Sequence, residues 1–107
     1  MAATPEKKVK DKVVAVLKQR RAYYFFPMAI GMGRSGVPDI ICCSNGRFLA
    51  IECKAGNKRP TALQEKELQR IRDSGGQVFV INEDNVKDIE IWLNMMTVPE
   101  KRMGSDA

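Results

Sequence analysis

VPDIICCSNGRFLAIECK, residues 37–54, decides how this chain folds. Two apolar runs flank Ser44-Asn45-Gly46-Arg47. Asn-Gly supplies the positive φ angles of a type I′ turn, so the stretch is expected to be a β-hairpin. With Asn45 and Gly46 as a two-residue loop, Ser44 pairs with Arg47. Pairing then runs outward through Cys43–Phe48, Cys42–Leu49, Ile41–Ala50 and Ile40–Ile51 to Asp39–Glu52. Cross-strand neighbours share a face of the sheet, with Cβ atoms roughly 4.5–5.5 Å apart. Lys54, two residues beyond Glu52, shares that face. Cys53 points the other way, into the core.

Two carboxylates that close repel unless positive charge lies between them. Lys54 would neutralise them in part. A divalent cation would do so more completely, and the backbone carbonyl of Cys53 would add a third oxygen. The plainer alternative is a solvated Glu–Lys cluster, but surface acids ordinarily face basic residues across a strand rather than another acid. The chain has no histidine. This excludes His–Cys zinc sites, Ser-His-Asp triads and imidazole acid–base chemistry. A metal here would be a hard cation on oxygen ligands, Mg²⁺ or Mn²⁺.

Outward from the hairpin, helices and strands alternate. Thr4 and Pro5 suit the cap and first position of a helix running to Arg21, with Val9, Val13, Val16 and Leu17 as its apolar stripe. Glu6 falls at the N-terminal end of that stripe. AYYFFP, residues 22–27, is expected to be a short strand ended by Pro27, and IGMGRSG, residues 30–36, a glycine-rich loop. AGNKRP, residues 55–60, is a basic loop. Thr61 opens a second helix with Leu68 and Ile71 inward, stopped by Gly75-Gly76. QVFVI, residues 77–81, is a continuous apolar run and is expected to be a buried strand. A last helix puts Val86, Ile89, Trp92 or Leu93, and Met96 inward. The order α-β-β-β-α-β-α predicts an α/β protein with a mixed sheet flanked by helices. With 107 residues, one domain over 1–98 and a flexible tail over 99–107 are expected.

The net charge of +5 is unevenly spread. Residues 1–22 hold seven Lys/Arg against two acids, and residues 77–107 three against six. This suits a polyanion on one side or simply a solvated surface. Cys42, Cys43 and Cys53 form no C-x-x-C pair, which argues against a disulfide scaffold. No apolar run approaches the roughly 18 residues of a membrane helix, and residues 1–12 lack the apolar core of a secretory signal. A soluble, cytoplasmic protein is expected, with no membrane partner.

The residues around the hairpin resemble a known family. "VPD", a hairpin and then "ECK" are similar to the PD-(D/E)xK nuclease motif. The helical Glu6, the approach "GRSGVPDIIC", "FLAIECKAG", Gln64 in "TALQ" and "GGQVFVI" together resemble the VRR-NUC family over about residues 4–93, and the length resembles its standalone phage and bacterial members. The resemblance implies a restriction-endonuclease-like core and divalent-metal-dependent hydrolysis of DNA phosphodiesters, with Mg²⁺ or Mn²⁺ as cofactor. It implies Asp39 and Glu52 as metal ligands beside the Cys53 carbonyl, and Lys54 as the residue that orients the attacking water. Glu6 would reach in directly or through a water, and Gln64 would position Lys54 or water. Each of the last two has a simpler role open to it: Glu6 suits a helix N-terminus, and Gln64 stands at capping-box spacing from Thr61. Gly31, Gly33 and Gly36 would let a phosphate backbone approach, or merely allow a tight loop. Arg34, Lys58 and Arg59 would contact phosphates. Standalone members resemble homodimeric resolvases of four-way junctions, with Tyr23, Tyr24, Phe25, Met28 and Met32 available either for an interface or, for the aromatics, for packing in the core. A flap or nicking nuclease of the same fold, or a non-catalytic nucleic-acid-binding module, are the alternatives.

Overall fold

The structure, a computed structural model, describes residues 3–28 and 35–95. Arg34, Gly31, Gly33, Met32, Met96 and the expected tail lie outside the described residues. Seven elements follow the predicted order: α1 (Pro5–Gln19), β1 (Tyr23–Phe25), β2 (Ile40–Ser44), β3 (Arg47–Cys53), α2 (Ala62–Asp73), β4 (Gln77–Ile81) and α3 (Val86–Met95).

Local chemistry sets the element ends. The Thr4 hydroxyl accepts the Lys7 N–H at 3.1 Å and Pro5 occupies the first turn of α1, where a missing N–H costs nothing. Arg21, at φ 59°, turns the chain out of α1 towards β1. Asn45 and Gly46 adopt φ 54° and 80°, the left-handed pair that the hairpin demands. The hairpin register is the predicted one, from Ser44–Arg47 to Ile40–Ile51.

The sheet runs β1-β2-β3-β4. β1, β2 and β3 are antiparallel neighbours, whereas β4 returns parallel to β3 through the α2 crossover. One face carries the larger core. Leu49, Ile51 and Cys53 of β3 meet Val9, Val13 and Leu17 of α1 and Ile89 and Leu93 of α3 there. Full burial of each of the aliphatic side chains stabilises by roughly 1.5–3 kcal/mol. An Arg20–Glu90 ion pair at 2.9 Å ties the end of α1 to α3. On the opposite face Ala50, Leu68 and Val78 form a smaller cluster under α2, flanked by Ile41, Ile71 and Val80. β4 is covered on both faces, which explains its continuous apolar run, but it is an edge strand, so Phe79 and Val80 are only half-buried. α2 packs over the β3–β4 half, and Tyr23, Phe25 and Phe48 stay largely exposed.

Candidate active site

The C-terminal end of β3 brings Glu52 together with Gln64 and Lys54, and Asp39 onto the Cys53 backbone. Alternation along the strand turns Ile51 and Cys53 into the α1 side and leaves Glu52 on the α2 side. Glu52 is 1% exposed, the one charged residue in the core of the described chain. Its Oε2 accepts Gln64 Nε2 at 2.9 Å and lies 3.5 Å from Lys54 Nζ. Its Oε1 is buried without a hydrogen-bond partner among the described residues.

Gln64 caps α2 and also bonds Glu52, rather than the Lys54 expected as its partner. Its Oε1 accepts the Thr61 N–H at 2.8 Å, while the Thr61 hydroxyl accepts the Gln64 N–H at 3.2 Å, completing a capping box. The remaining amide nitrogen is then aimed at Glu52. One side chain starts α2 and fixes the carboxylate.

Asp39 departs from the simple ladder. Paired positions end at Ile40–Ile51, and Asp39 sits in a bend. The physical reason is Pro38. Extending the register would set residue 38 against Cys53, and a proline has no N–H to donate to that strand. The Asp39 carboxylate takes over one half of the missing pair, its Oδ2 accepting the Cys53 N–H at 2.8 Å. The other half is left unmade, so no ladder bond from residue 38 engages the Cys53 carbonyl. Lys54 N–H bonds Ile81 of β4, so the peptide groups of Cys53 turn towards Asp39. The end of the hairpin therefore carries the Asp39 carboxylate on the Cys53 backbone, with the buried Glu52 carboxylate near enough to feel its charge.

Beside Asp39 opens a cleft of about 740 Å³ between α1 and the strand ends, lined by Glu6, Lys10, Phe26, Asp39, Cys53 and Lys58 among others. Glu6 is half-buried in its wall. Among the described residues no three acidic, cysteine or histidine side chains stand close enough to hold a metal by themselves. The side-chain donors at the hairpin are two, Asp39 and Glu52, and Glu6 stands back from them.

The sequence profile of the VRR-NUC domain matches residues 5–84. The chain belongs to the VRR-NUC family. It is 36% identical over 61 residues to "Putative nuclease p44" of Acyrthosiphon pisum secondary endosymbiont phage 1, a match covering 56% of this chain and 66% of that protein. A solved VRR-NUC domain superposes with a TM-score of 0.70 at 25% identity, covering 81% of this chain and 95% of the other. The matched span takes in Glu6, Asp39, Glu52, Lys54 and Gln64. The family is one of nuclease domains.

Electrostatics in this VRR-NUC fold follow from burial. The Glu52 carboxyl is pushed up from 4.5 to about 7, first by loss of solvent, then by the Asp39 charge; Lys54 pulls it down and Glu6 adds a smaller repulsion. Burial, then Asp39 and Glu52, pushes the Cys53 thiol up to about 12, so it stays protonated and acts as a core hydrophobe.

The structure also gives Gly36 a packing role and reveals a loop anchor at Gly56. Gly36, at φ 77°, lies against the first turn of α2, where an added Cβ would come within 2.6 Å of the Leu63 carbonyl oxygen. Both backbone groups of Gly56 are held by the turn after β4. Its N–H donates to Glu83 Oε1 at 2.8 Å and its C=O accepts from Asn82 Nδ2 at 3.1 Å. Asn85 Oδ1 in turn accepts the Asn82 N–H at 2.7 Å. Lys58 and Arg59 follow on this anchored loop, both exposed. Asn and Asp clusters signal turns, but a clamp on a distant loop is a tertiary fact.

Proposed function

We propose that this chain is a divalent-metal-dependent, structure-selective DNA endonuclease that cuts branched DNA, four-way junctions foremost, as a homodimer. The observation that carries the reading is the unpartnered Oε1 of buried Glu52 beside Asp39. A buried carboxylate facing another acid is costly without a cation. The residues present fit Mg²⁺ or Mn²⁺: oxygen donors from Asp39, Glu52 and the Cys53 carbonyl, with Glu6 reaching through a water. Mg²⁺ keeps several waters and needs only one or two carboxylates, which suits a two-acid site. When bound, such an ion polarises phosphoryl oxygens and lowers the pKa of the attacking water.

The chain's own groups do the rest. Lys54, its side chain 12% exposed, keeps its ammonium at the carboxylates, where it orients a water and offsets charge growing on the phosphoryl oxygens. Gln64 prevents Glu52 from rotating away. Lys58 and Arg59 approach the flanking phosphates from the anchored loop, joined by Arg34. Two symmetric nicks need two sites related by a twofold axis. The exposed Tyr23, Phe25 and Met28 supply apolar surface for that pairing, whereas Tyr24 packs on the core. Residues 1–98 form the single nuclease domain on this reading. The free Cys42, Cys43 and Cys53 suit a reducing cytoplasm, as for a phage protein in its bacterial host. No helix among the described residues is long and apolar enough to cross a membrane.

The test is cleavage of four-way, flap, splayed and nicked substrates with Mg²⁺, Mn²⁺ or EDTA. Lys54→Ala is expected to abolish cutting with folding intact. A wild type that binds branched DNA yet cuts none with either metal refutes the enzymatic reading and leaves a binding module. Preference for flaps or nicks moves the assignment within the fold.

A further inference from the structure

The α1 wall of the cleft carries a cation that neither the motif nor the family match singles out. Lys10 stands one helical turn beyond Glu6, at the spacing where Glu and Lys ordinarily pair. They do not pair here. Lys7 is tied to Asp11 at 3.0 Å, but no carboxylate among the described residues lies within ion-pair distance of Lys10. Its Nζ instead lies 4.1 Å from the centroid of the Phe26 ring. It is half-buried, whereas Lys7, Lys8, Lys12 and Lys18 of the same helix are exposed. It lines the same cleft as Asp39 and Lys58.

An aromatic face attracts an ammonium without neutralising it. Phe26 therefore restricts a flexible lysine while leaving its full charge and its N–H donors for another anion. The cleft also presents Lys58 from the loop after β3, so cations border it from two elements. Carboxylates alone at this spot would repel a nucleic-acid backbone. We propose that Lys10, held over Phe26, is a substrate-binding residue that contacts a backbone phosphate of the DNA strand entering the cleft. This rests on the nuclease reading for its ligand, a phosphodiester chain, but not on catalysis.

The test measures binding of a fluorescently labelled four-way junction in EDTA, so no cleavage is needed, across a salt series. Each lost phosphate contact lowers the slope of log affinity against log salt by about 0.9. For Lys10→Gln the wild type's affinity advantage should shrink about 3-fold between roughly 50 and 200 mM salt. Lys10→Arg should restore the slope. Phe26→Leu keeps the charge, so the slope should hold while affinity falls about 2- to 5-fold, the size of an exposed cation–π contact. In the Lys10→Gln background the same Phe26 change should have no effect. Thermal unfolding of each variant identifies any general loss of folding. An unchanged slope in folded Lys10→Gln, or equal Phe26→Leu effects in both backgrounds, overturns the inference. A wild type that shows these slopes but never cuts leaves Lys10 in place and removes the nuclease reading instead.

Discussion

Replacing Glu52 by glutamine should make the metal-free protein less sensitive to alkali. The Glu52 carboxyl sits at about 7 in the folded chain against an ordinary 4.5. A group whose folded value is raised binds its proton more tightly in the folded state. Its stabilisation is thus fully present below about pH 4.5 and is lost as pH rises through about 7. The difference corresponds to about 3 kcal/mol. Because the side chain is 1% exposed, solvent screening removes little of it. For a domain of this size that is a fall in Tm of about 10–20 °C. The assay is thermal or urea unfolding in EDTA at pH 5 and pH 8, for wild type and Glu52→Gln. The attraction of Lys54 for the ionised carboxylate is already contained in the value of about 7 and needs no separate account. Wild type should lose about 2.5 kcal/mol relative to the variant between the two pH values, since at pH 5 the unfolded carboxyl is already largely ionised. Added Mg²⁺ should recover most of that loss at pH 8 in wild type and little in Glu52→Gln. If both proteins respond to pH alike, the buried-carboxylate reasoning is wrong.

Other changes separate the supports of the site. Gln64→Glu keeps an acceptor for the Thr61 N–H but replaces the donor to Glu52 with a third acid. It should retain most of the cap, worth about 1 kcal/mol, yet cut cleavage far more than it lowers Tm; equal losses in both would argue for capping alone. Gly36→Ala meets a left-handed φ and backbone atoms of Leu63 and Gln64 within 2.9 Å. The φ penalty alone is about 1–2 kcal/mol, so urea unfolding should show a loss at least that large.

The hairpin was legible because turn chemistry fixes register locally, and its five pairs came out as counted from Asn45-Gly46. The caps at Thr4 and Thr61 were legible for the same reason. The place where counting stopped working is Asp39. Period-two logic carries a strand onward, whereas Pro38 ends the ladder and hands one backbone bond to a side chain. Gln64 presented a choice between cap and site only because sequence spacing cannot show that an amide has two ends. Nothing in the sequence marks Lys10, because its partner, Phe26, is distant in sequence and meets it only in the folded chain. The Asn82–Glu83 hold on Gly56 was hidden likewise.

The hairpin's register also bears on how such a gene can change length. Five positions separate Ser44 from Asp39, and five separate Arg47 from Glu52. The register up to Ile40–Ile51, rather than the identity of the apolar residues between, sets where Glu52 falls and which strand position Asp39 bonds. Exchange of one aliphatic for another in either arm leaves the register untouched. A one-codon insertion or deletion within an arm reverses every side chain beyond it and parts the two acids. The same insertion between Asn45 and Gly46 leaves both arm counts intact but changes the loop length that sets the register. The hairpin is therefore expected to keep its length from tip to end, because its turn sets the alignment of the chemistry at the far end.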